Sequence, residues 1–367
     1  MVHVKAPGKL MVSGEYSVLE GAPCVAAAVD KYVECWVRPW KGLRFKSKSL
    51  GLDWVEAGFD GKTLKWKKPL SPEEGGKLRF AEKALEAVLQ YLVACGKTPE
   101  GMEVETKSEE TRIAGKKVGF GSSAAAVVAI IGGVLKLHDY NLMDEYAKEI
   151  VFKLGCLAHY LAQGKVGSAF DIACSTYGRL MVYTRFEGAW LDKELVSGKD
   201  VRELVEQKWP GFTQRWLLPP KGFRLLGAFT GQSASTPALI RKVRDWKALD
   251  GKAYATCMAA LQAATEKLIK ALDAEDPVGA LNAVKENRAA LLGLQKGAGM
   301  ELETRGLRVL AEAAEGCWAA GKWSGAGGGD SGIALCFDER TAECIHTAWR
   351  KAGLQVLDLH LAGQGIE

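Results

Sequence analysis

The chain predicts an α+β fold built in two halves. Short segments such as His3–Lys5, Lys9–Val12 and Tyr32–Val37 read as strands, the last because its apolar residues recur at period two. Longer stretches such as Leu78–Cys95 and Lys252–Ala274 read as amphipathic helices. Strands and helices are mixed in both halves instead of alternating strictly, which argues against a purely parallel sheet.

Ala6-Pro7-Gly8 is expected to break the first strand, and Pro23–Val29 is an apolar segment ahead of Tyr32–Val37. Lys41–Lys68 is rich in Lys, Gly and Trp, with strand-like pieces at Leu43–Lys46 and Leu64–Trp66. A basic, aromatic-studded hairpin suits nucleic acid. We read it instead as an edge hairpin, because edge strands are commonly protected by Lys. In Leu78–Cys95, the residues Phe80, Ala84, Leu85, Val88, Leu89 and Leu92 share one face, and Gly96 ends the helix. Met102–Thr106 reads as a strand, Leu142–Gln163 as a helix, Gly167–Thr176 as a small-residue loop around Asp171, and Arg179–Thr184 as a strand. Phe186–Trp216 is charged and weakly periodic, and is taken as the connection between domains at 1–185 and 221–367, with boundaries at 186 and 220. Beyond it come a strand at Phe223–Phe229, the loop Thr230–Thr236, and a helix from Pro237, proline being favoured at a first helical position. Helices at Lys252–Ala274, Pro277–Leu294 and Met300–Ala320 precede a glycine-rich loop, Trp323–Asp330. A strand at Ser331–Phe337, a helix at Glu339–Ala352 and a strand at Leu354–Leu361 close the chain.

Composition narrows the function. At 48% hydrophobic and 25% charged residues the 367-residue chain reads as an ordinary soluble protein with a sizeable core. A net charge of +5 favours small anions weakly and does not demand nucleic acid. Nine cysteines, an odd number without C-x-x-C pairs, fit a reducing cytoplasm better than a disulfide framework or a zinc site. The first sixteen residues hold no apolar h-region, so no secretory signal is expected. Val118–Leu135 carries no charge, but its apolar helical part runs only from Ala124 and is too short to span a membrane. No nucleic-acid or membrane partner is therefore expected.

The most informative stretch is Val118–Ala126, VGFGSSAAA, running into apolar Val127–Leu135. Gly119 and Gly121 can take positive φ and let a ligand approach the backbone. Ser122 is expected to cap a helix that Ala124 begins. Such a helix start, with free N–H groups and a positive dipole end, suits an anion. A tight packing turn is the competing reading. Similar glycine- and serine-rich loops recur around Lys9, at Gly167–Asp171 and at Gly325–Ser331. None is a Walker A motif or a Rossmann fingerprint.

APGKL at Ala6–Leu10, GFGSSAA at Gly119–Ala125 and SGAGGGDSGIAL at Ser324–Leu335 together resemble the three signatures of the GHMP kinases, in the family's order and spacing. GKVGSAFDIACSTYG at Gly164–Gly178 and FTGQSAST at Phe229–Thr236 resemble most the family's phosphomevalonate kinases. The resemblance implies a ribosomal protein S5 domain 2-like N-terminal domain with a left-handed βαβ crossover, a ferredoxin-like C-terminal domain, and an active site between them. It implies transfer of the γ-phosphoryl of ATP to mevalonate 5-phosphate. The alternatives are a sibling such as a mevalonate kinase, or a catalytically silent member of the fold.

The resemblance also implies roles. Lys9 and Asp171 would be catalytic, side by side. Lys117, Gly119, Gly121, Ser122, Ser123 and Ala124 would hold ATP, with Ser122 and Ser123 near Mg2+. Lys9, Lys165, Ser168, Ser233, Ser235, Thr236, Arg288, Gly325, Ala326 and Gly327 would line the acceptor side. Lys5 and Lys322 are further candidate cations for the acceptor's phosphate. Ala169 stands where the family has Gly, so positive φ there would be strained. Ser331 replaces a common Cys, with little consequence expected. The helix CLAHYLAQG lacks the metal-binding Glu of mevalonate kinases, which leaves the Mg2+ shell to serine, phosphates and water. A cytoplasmic monomer or homodimer is expected.

Overall fold

The computed structural model describes residues 1–109, 112–113, 116–164, 167–232 and 236–367. In the first half the strands are β1 (Val2–Ser13), β2 (Pro23–Pro39), β3 (Leu43–Ser47), β4 (Leu52–Phe59), β5 (Leu64–Trp66), β6 (Met102–Ser108), β7 (Arg112–Ile113), β8 (Lys116–Lys117), β9 (Leu180–Thr184) and β10 (Thr213–Trp216). Eight of them form one sheet in the order β10-β9-β2-β6-β3-β4-β5, with β1 also on β2; β7 and β8 pair with each other. The helices are α1 (Pro72–Ala94), α2 (Ser122–Leu137), α3 (Glu145–Ala162), α4 (Phe170–Tyr177), α5 (Gly188–Val196) and α6 (Val201–Glu206). The nearly all-apolar α2 is buried against β1, β2, α1 and α3.

In the second half β11 (Arg224–Phe229), β12 (Ala320–Trp323), β13 (Ser331–Cys336) and β14 (Gln355–Leu357) form an antiparallel sheet in the order β12-β13-β11-β14. That is the strand order of a ferredoxin-like unit. Its first connection carries α7 (Thr236–Leu249), α8 (Gly251–Asp273), α9 (Pro277–Gly297) and α10 (Arg305–Gly316), and its last carries α11 (Glu339–Lys351). Asp250, Asp276 and Asp338 cap α8, α9 and α11 by accepting backbone N–H bonds from Ala253, Gly279 and Thr341.

β1 joins the two halves. Pro7 does not break it; the pairing with β2 shifts register between Pro7 and Gly8 instead. The shift changes which face each residue presents. Upstream, Val4 and Ala6 enter the first core. Downstream, Leu10 and Val12 face the second half and pack in one cluster with Phe229, Ile333 and Leu335.

Other expectations change for local reasons. Pro23–Val29 and Tyr32–Val37 are one strand, β2, because β1 pairs along nearly all of it. α1 begins six residues early, because Ser71 and Glu74 form a reciprocal capping box. The helix expected over Met300–Ala320 covers only α10, and Ala320–Trp323 is a strand buried at all four positions, without alternation to reveal it. The last strand shortens to β14, with Leu361 bridging to Val29. Phe186–Trp216 supplies α5, α6 and β10; β10 pairs with β9, and Leu191, Leu204 and Trp209 enter the first core. One disulfide, Cys317–Cys344, ties the end of α10 to α11, against the expectation of thiols throughout; the other seven cysteines are free. Among the described residues no helix is long and apolar enough to cross a membrane.

Candidate active site

β1, the start of α2, the start of α4 and the loop between β12 and β13 converge on one cavity of about 330 Å3. The start of α2 differs from expectation. The helix begins at Ser122, and Gly121 is the N-cap, in the left-handed region at φ 75°. No side chain caps the first turn, so the Ser122 and Ser123 N–H groups are left for something else. Gly119 is also left-handed, at φ 90°. Ser122 and Ser123 line the cavity, while Ala124 is fully buried and donates its N–H to Gly121 O at 3.0 Å.

Lys9 lies across this loop. Its N–H donates to Phe120 O at 2.9 Å, and its ammonium donates to Gly119 O at 3.0 Å and sits over the Phe170 ring. A Cβ on Gly121 would lie 3.0 Å from the Cγ and Cε of Lys9, so the loop and the lysine are in direct contact. Lys9 is the only Lys or Arg lining the cavity among the described residues.

Asp171 stands in the first turn of α4, where a loop was expected. Its Oδ1 accepts the Ile172 N–H at 3.0 Å, and its Oδ2 lies 3.8 Å from His159 Nε2. Lys9 and Asp171 thus share the cavity but meet different partners. Ala169, the residue before α4, takes φ 62°, so the strain foreseen for a non-glycine there is present. It is of order 1–3 kcal/mol. Ser168 lines the cavity, and its carbonyl accepts from the buried Tyr183 hydroxyl at 2.7 Å.

From the second half, Ser324, Gly325, Ala326, Asp330 and Ser331 line the cavity. Ser331 has more consequence than expected: its hydroxyl donates to Val118 O at 2.6 Å, tying β13 to the α2 loop. Gly327 does not reach the cavity; a Cβ there would lie 2.9 Å from Trp323 Nε1 and 3.0 Å from Leu302 O.

The candidate phosphate cations are mostly engaged elsewhere. Arg288 is away from the cavity, held by both oxygens of Glu303 at 2.7 and 3.1 Å and by Glu315 at 2.8 Å. Lys5 pairs with Glu367 at 2.9 Å, and Lys322 is fully buried against Glu15. Lys165, Ser233 and Ser235 lie outside the described residues, as do the side chains of Lys117 in β8 and Thr236 in α7.

Among the lining residues that sequence reasoning missed, four are polar or ionisable: Glu15, Tyr16, His159 and Gln163. Burial pushes the Tyr16 hydroxyl well above its ordinary pKa, so it stays a donor, and it donates to Ala326 O at 2.6 Å. His159 is buried, with Nε2 3.3 Å from the Gln163 amide nitrogen and 3.5 Å from Ser123 Oγ. The only sequence signal for it was a His and a Gln at i, i+4 at the uncharged C-terminal end of α3.

Residues 79–179 match the N-terminal domain model of the GHMP kinases. The chain is 30% identical to phosphomevalonate kinase of Streptomyces sp. strain CL190, over 98% of this chain and 97% of that one. It is 28% identical to phosphomevalonate kinase of Saccharolobus solfataricus over the same shares. Among solved structures, the Lin0012 protein of Listeria innocua superimposes with a TM-score of 0.90 at 30% identity, covering 100% of this chain and 99% of that one. Streptococcus pneumoniae phosphomevalonate kinase, solved with phosphomevalonate and AMPPNP, shares the fold with a TM-score of 0.83 at 24% identity, covering 99% of this chain and 100% of that one. Full-length similarity of this order, on a fold that gathers the three signature loops at one cavity, places the chain in the phosphomevalonate kinase family of the GHMP kinases.

Proposed function

We infer that the chain transfers the γ-phosphoryl of ATP to mevalonate 5-phosphate, giving mevalonate 5-diphosphate and ADP. The observation that carries this is the match to the Streptomyces enzyme along 98% of the chain. The site chemistry agrees with it. Phosphoryl transfer needs positioning and charge neutralisation more than covalent work. The uncapped start of α2 offers N–H donors to the ATP phosphates. Lys9, held at Gly119, places one positive charge where the two phosphates approach. The acceptor is a phosphate monoester, whose second ionisation near pH 6 leaves it mostly dianionic at neutral pH. It needs no strong base, so the role of Asp171 is to orient the acceptor. Ser168, Gly325 and Ala326 shape the acceptor side, and Lys165, Ser233, Ser235 and Thr236 are assigned to the acceptor on the resemblance of their motifs alone. Arg288 has no part in this reading, because it does not line the cavity and each of its three nitrogens is held by a carboxylate.

A divalent cation fits the donor set in a limited way. Among the described residues no group of three or more His, Cys, Asp or Glu forms a metal site. Mg2+ is commonly held by one or two protein oxygens plus substrate phosphates and water. Ser122 and Ser123 supply the oxygens at the right wall of the cavity, and the ion would neutralise phosphate charge. Action in the cytoplasm belongs to the same reading. The test is ADP release with ATP, Mg2+ and one acceptor at a time. Turnover with mevalonate 5-phosphate, abolished by EDTA, is expected. Turnover with mevalonate or a sugar in its place would assign the chain to a sibling activity.

A further inference from the structure

We propose that Lys322 is a positioning residue for the phosphoryl transfer, whose buried ion pair with Glu15 clamps the Ser324–Asp330 loop to the end of β1 and so sets the spacing of the two cavity walls. The proposal rests on the kinase reading above. Lys322 is in β12, two residues before the loop, and Glu15 is two residues beyond β1. Their side chains are 0% and 1% exposed. The three N–H donors of Lys322 are all used, on Glu15 Oε1, on Val12 O at 3.3 Å and on Trp323 O at 2.7 Å. The same Glu15 oxygen accepts the Gly325 N–H at 3.4 Å, so one carboxylate oxygen joins Lys322 to the loop it precedes.

Two flanking bonds run in the same direction. The Met11 N–H donates to Ser324 Oγ at 2.9 Å, and the Tyr16 hydroxyl donates to Ala326 O. Met11, Val12, Glu15 and Tyr16 are thereby bonded to Lys322, Ser324, Gly325 and Ala326 across the gap between the two halves. The other Glu15 oxygen, Oε2, is buried without a hydrogen-bond partner in a residue that lines the cavity.

Stability does not explain the pair. Desolvating two charges offsets most of their attraction, and well-packed apolar residues at such positions often hold a fold as well or better. Leu10, Val12, Ile333 and Leu335 already supply an apolar seal between the halves. What the ion pair adds is direction and length: an ammonium with three fixed acceptors holds the strand, the turn and the loop in one arrangement. Burial lowers the Lys322 pKa, and the adjacent Glu15 charge offsets part of that lowering.

The experiment compares wild type with Lys322→Met, Glu15→Met and the Glu15→Met/Lys322→Met double variant. Readouts are kcat, the KM of each substrate, Tm and the Kd for ATP by calorimetry. Wild-type turnover with mevalonate 5-phosphate tests the kinase reading alone; if ADP is released with another acceptor instead, that reading falls and the same variants are compared with that acceptor. Each single variant leaves one buried charge unpaired and is expected to lose stability as well as turnover. The double variant has no unpaired charge, and its Tm is expected to stay at the wild-type value. Its kcat is expected to fall about 100-fold, the usual effect of misplacing reacting groups by about 1 Å, with the Kd for ATP unchanged. A double variant with wild-type Tm and wild-type kcat would overturn the proposal, since the pair would then be structural only.

Discussion

The two glycine-rich loops that face each other across the cavity are built by opposite means. The loop at Gly119–Ser123 leads into a long buried helix, and its donors are left open: Gly121 caps with backbone alone, and no side chain fills the first turn. The loop at Ser324–Asp330 has no helix behind it: Leu302 and Gln232 of its own half hold Gly328 and Asp330 at its far end, and Met11, Tyr16 and Glu15 of the other half hold Ser324–Ala326 at its near end. The first loop is preorganised by its own secondary structure. The second takes the place of its near end from contact between the halves. A ligand of high negative charge is met on one side by a fixed dipole and on the other by a wall whose place depends on tertiary contacts.

The largest effect should come from the charge at the first loop. Lys9→Ala is expected to lower kcat by about 1,000-fold, in the range seen on removing a transition-state donor, with little change in the Kd for ATP. Asp171→Ala should follow in the same direction. Near-full turnover in either variant would reverse the roles given to these side chains.

Next is Gly121→Ala. The substitution places a side chain at φ 75° and against Lys9. A drop of roughly 1–2 kcal/mol in stability, seen by denaturant titration, should accompany a clear loss of kcat. Gly325→Ala provides the contrast, because it has φ 88° but open space around the added Cβ. Similar strain is expected there with much less loss of turnover, and equal kcat losses in the two variants would erase the distinction between the loops.

Tyr16→Phe removes one stitch from the second loop. About 1 kcal/mol should be lost from stability, with a rise in substrate KM larger than the change in kcat. The smallest effect on turnover is expected for Cys344→Ser. It opens a disulfide of sequence separation 27 on the α10–α11 side of the second sheet. Stability should fall by about 3 kcal/mol on loop-entropy grounds, while kcat holds. A fall in kcat at a temperature where the variant is fully folded would mean that α11 also helps place the second loop.

Much of the fold was legible because it is encoded locally. The apolar run after Ser123, the shared apolar face of Leu78–Cys95 and the alternation in Tyr32–Val37 each announce one element through its own period. β12 was not legible, since four buried residues in a row carry no period. The site was half legible. Glycine and serine loops with one lysine and one aspartate can be read as anion chemistry from residue types alone. Arg288 looked like a phosphate ligand because a sequence shows that a guanidinium exists and not what it faces; here it faces Glu303 and Glu315.

By itself, then, the sequence determined the three loops and the helix behind the first of them, because those depend on neighbours a few residues apart. Only the tertiary structure decided which charges remain for the ligand. Lys9, at position 9, stays at the cavity, and Lys322 is withdrawn from it by Glu15, 307 residues away. Burial and pairing across that separation depend on how the two halves pack. No local pattern records this, because desolvation and partner geometry set the outcome for a charge, and both belong to the folded chain.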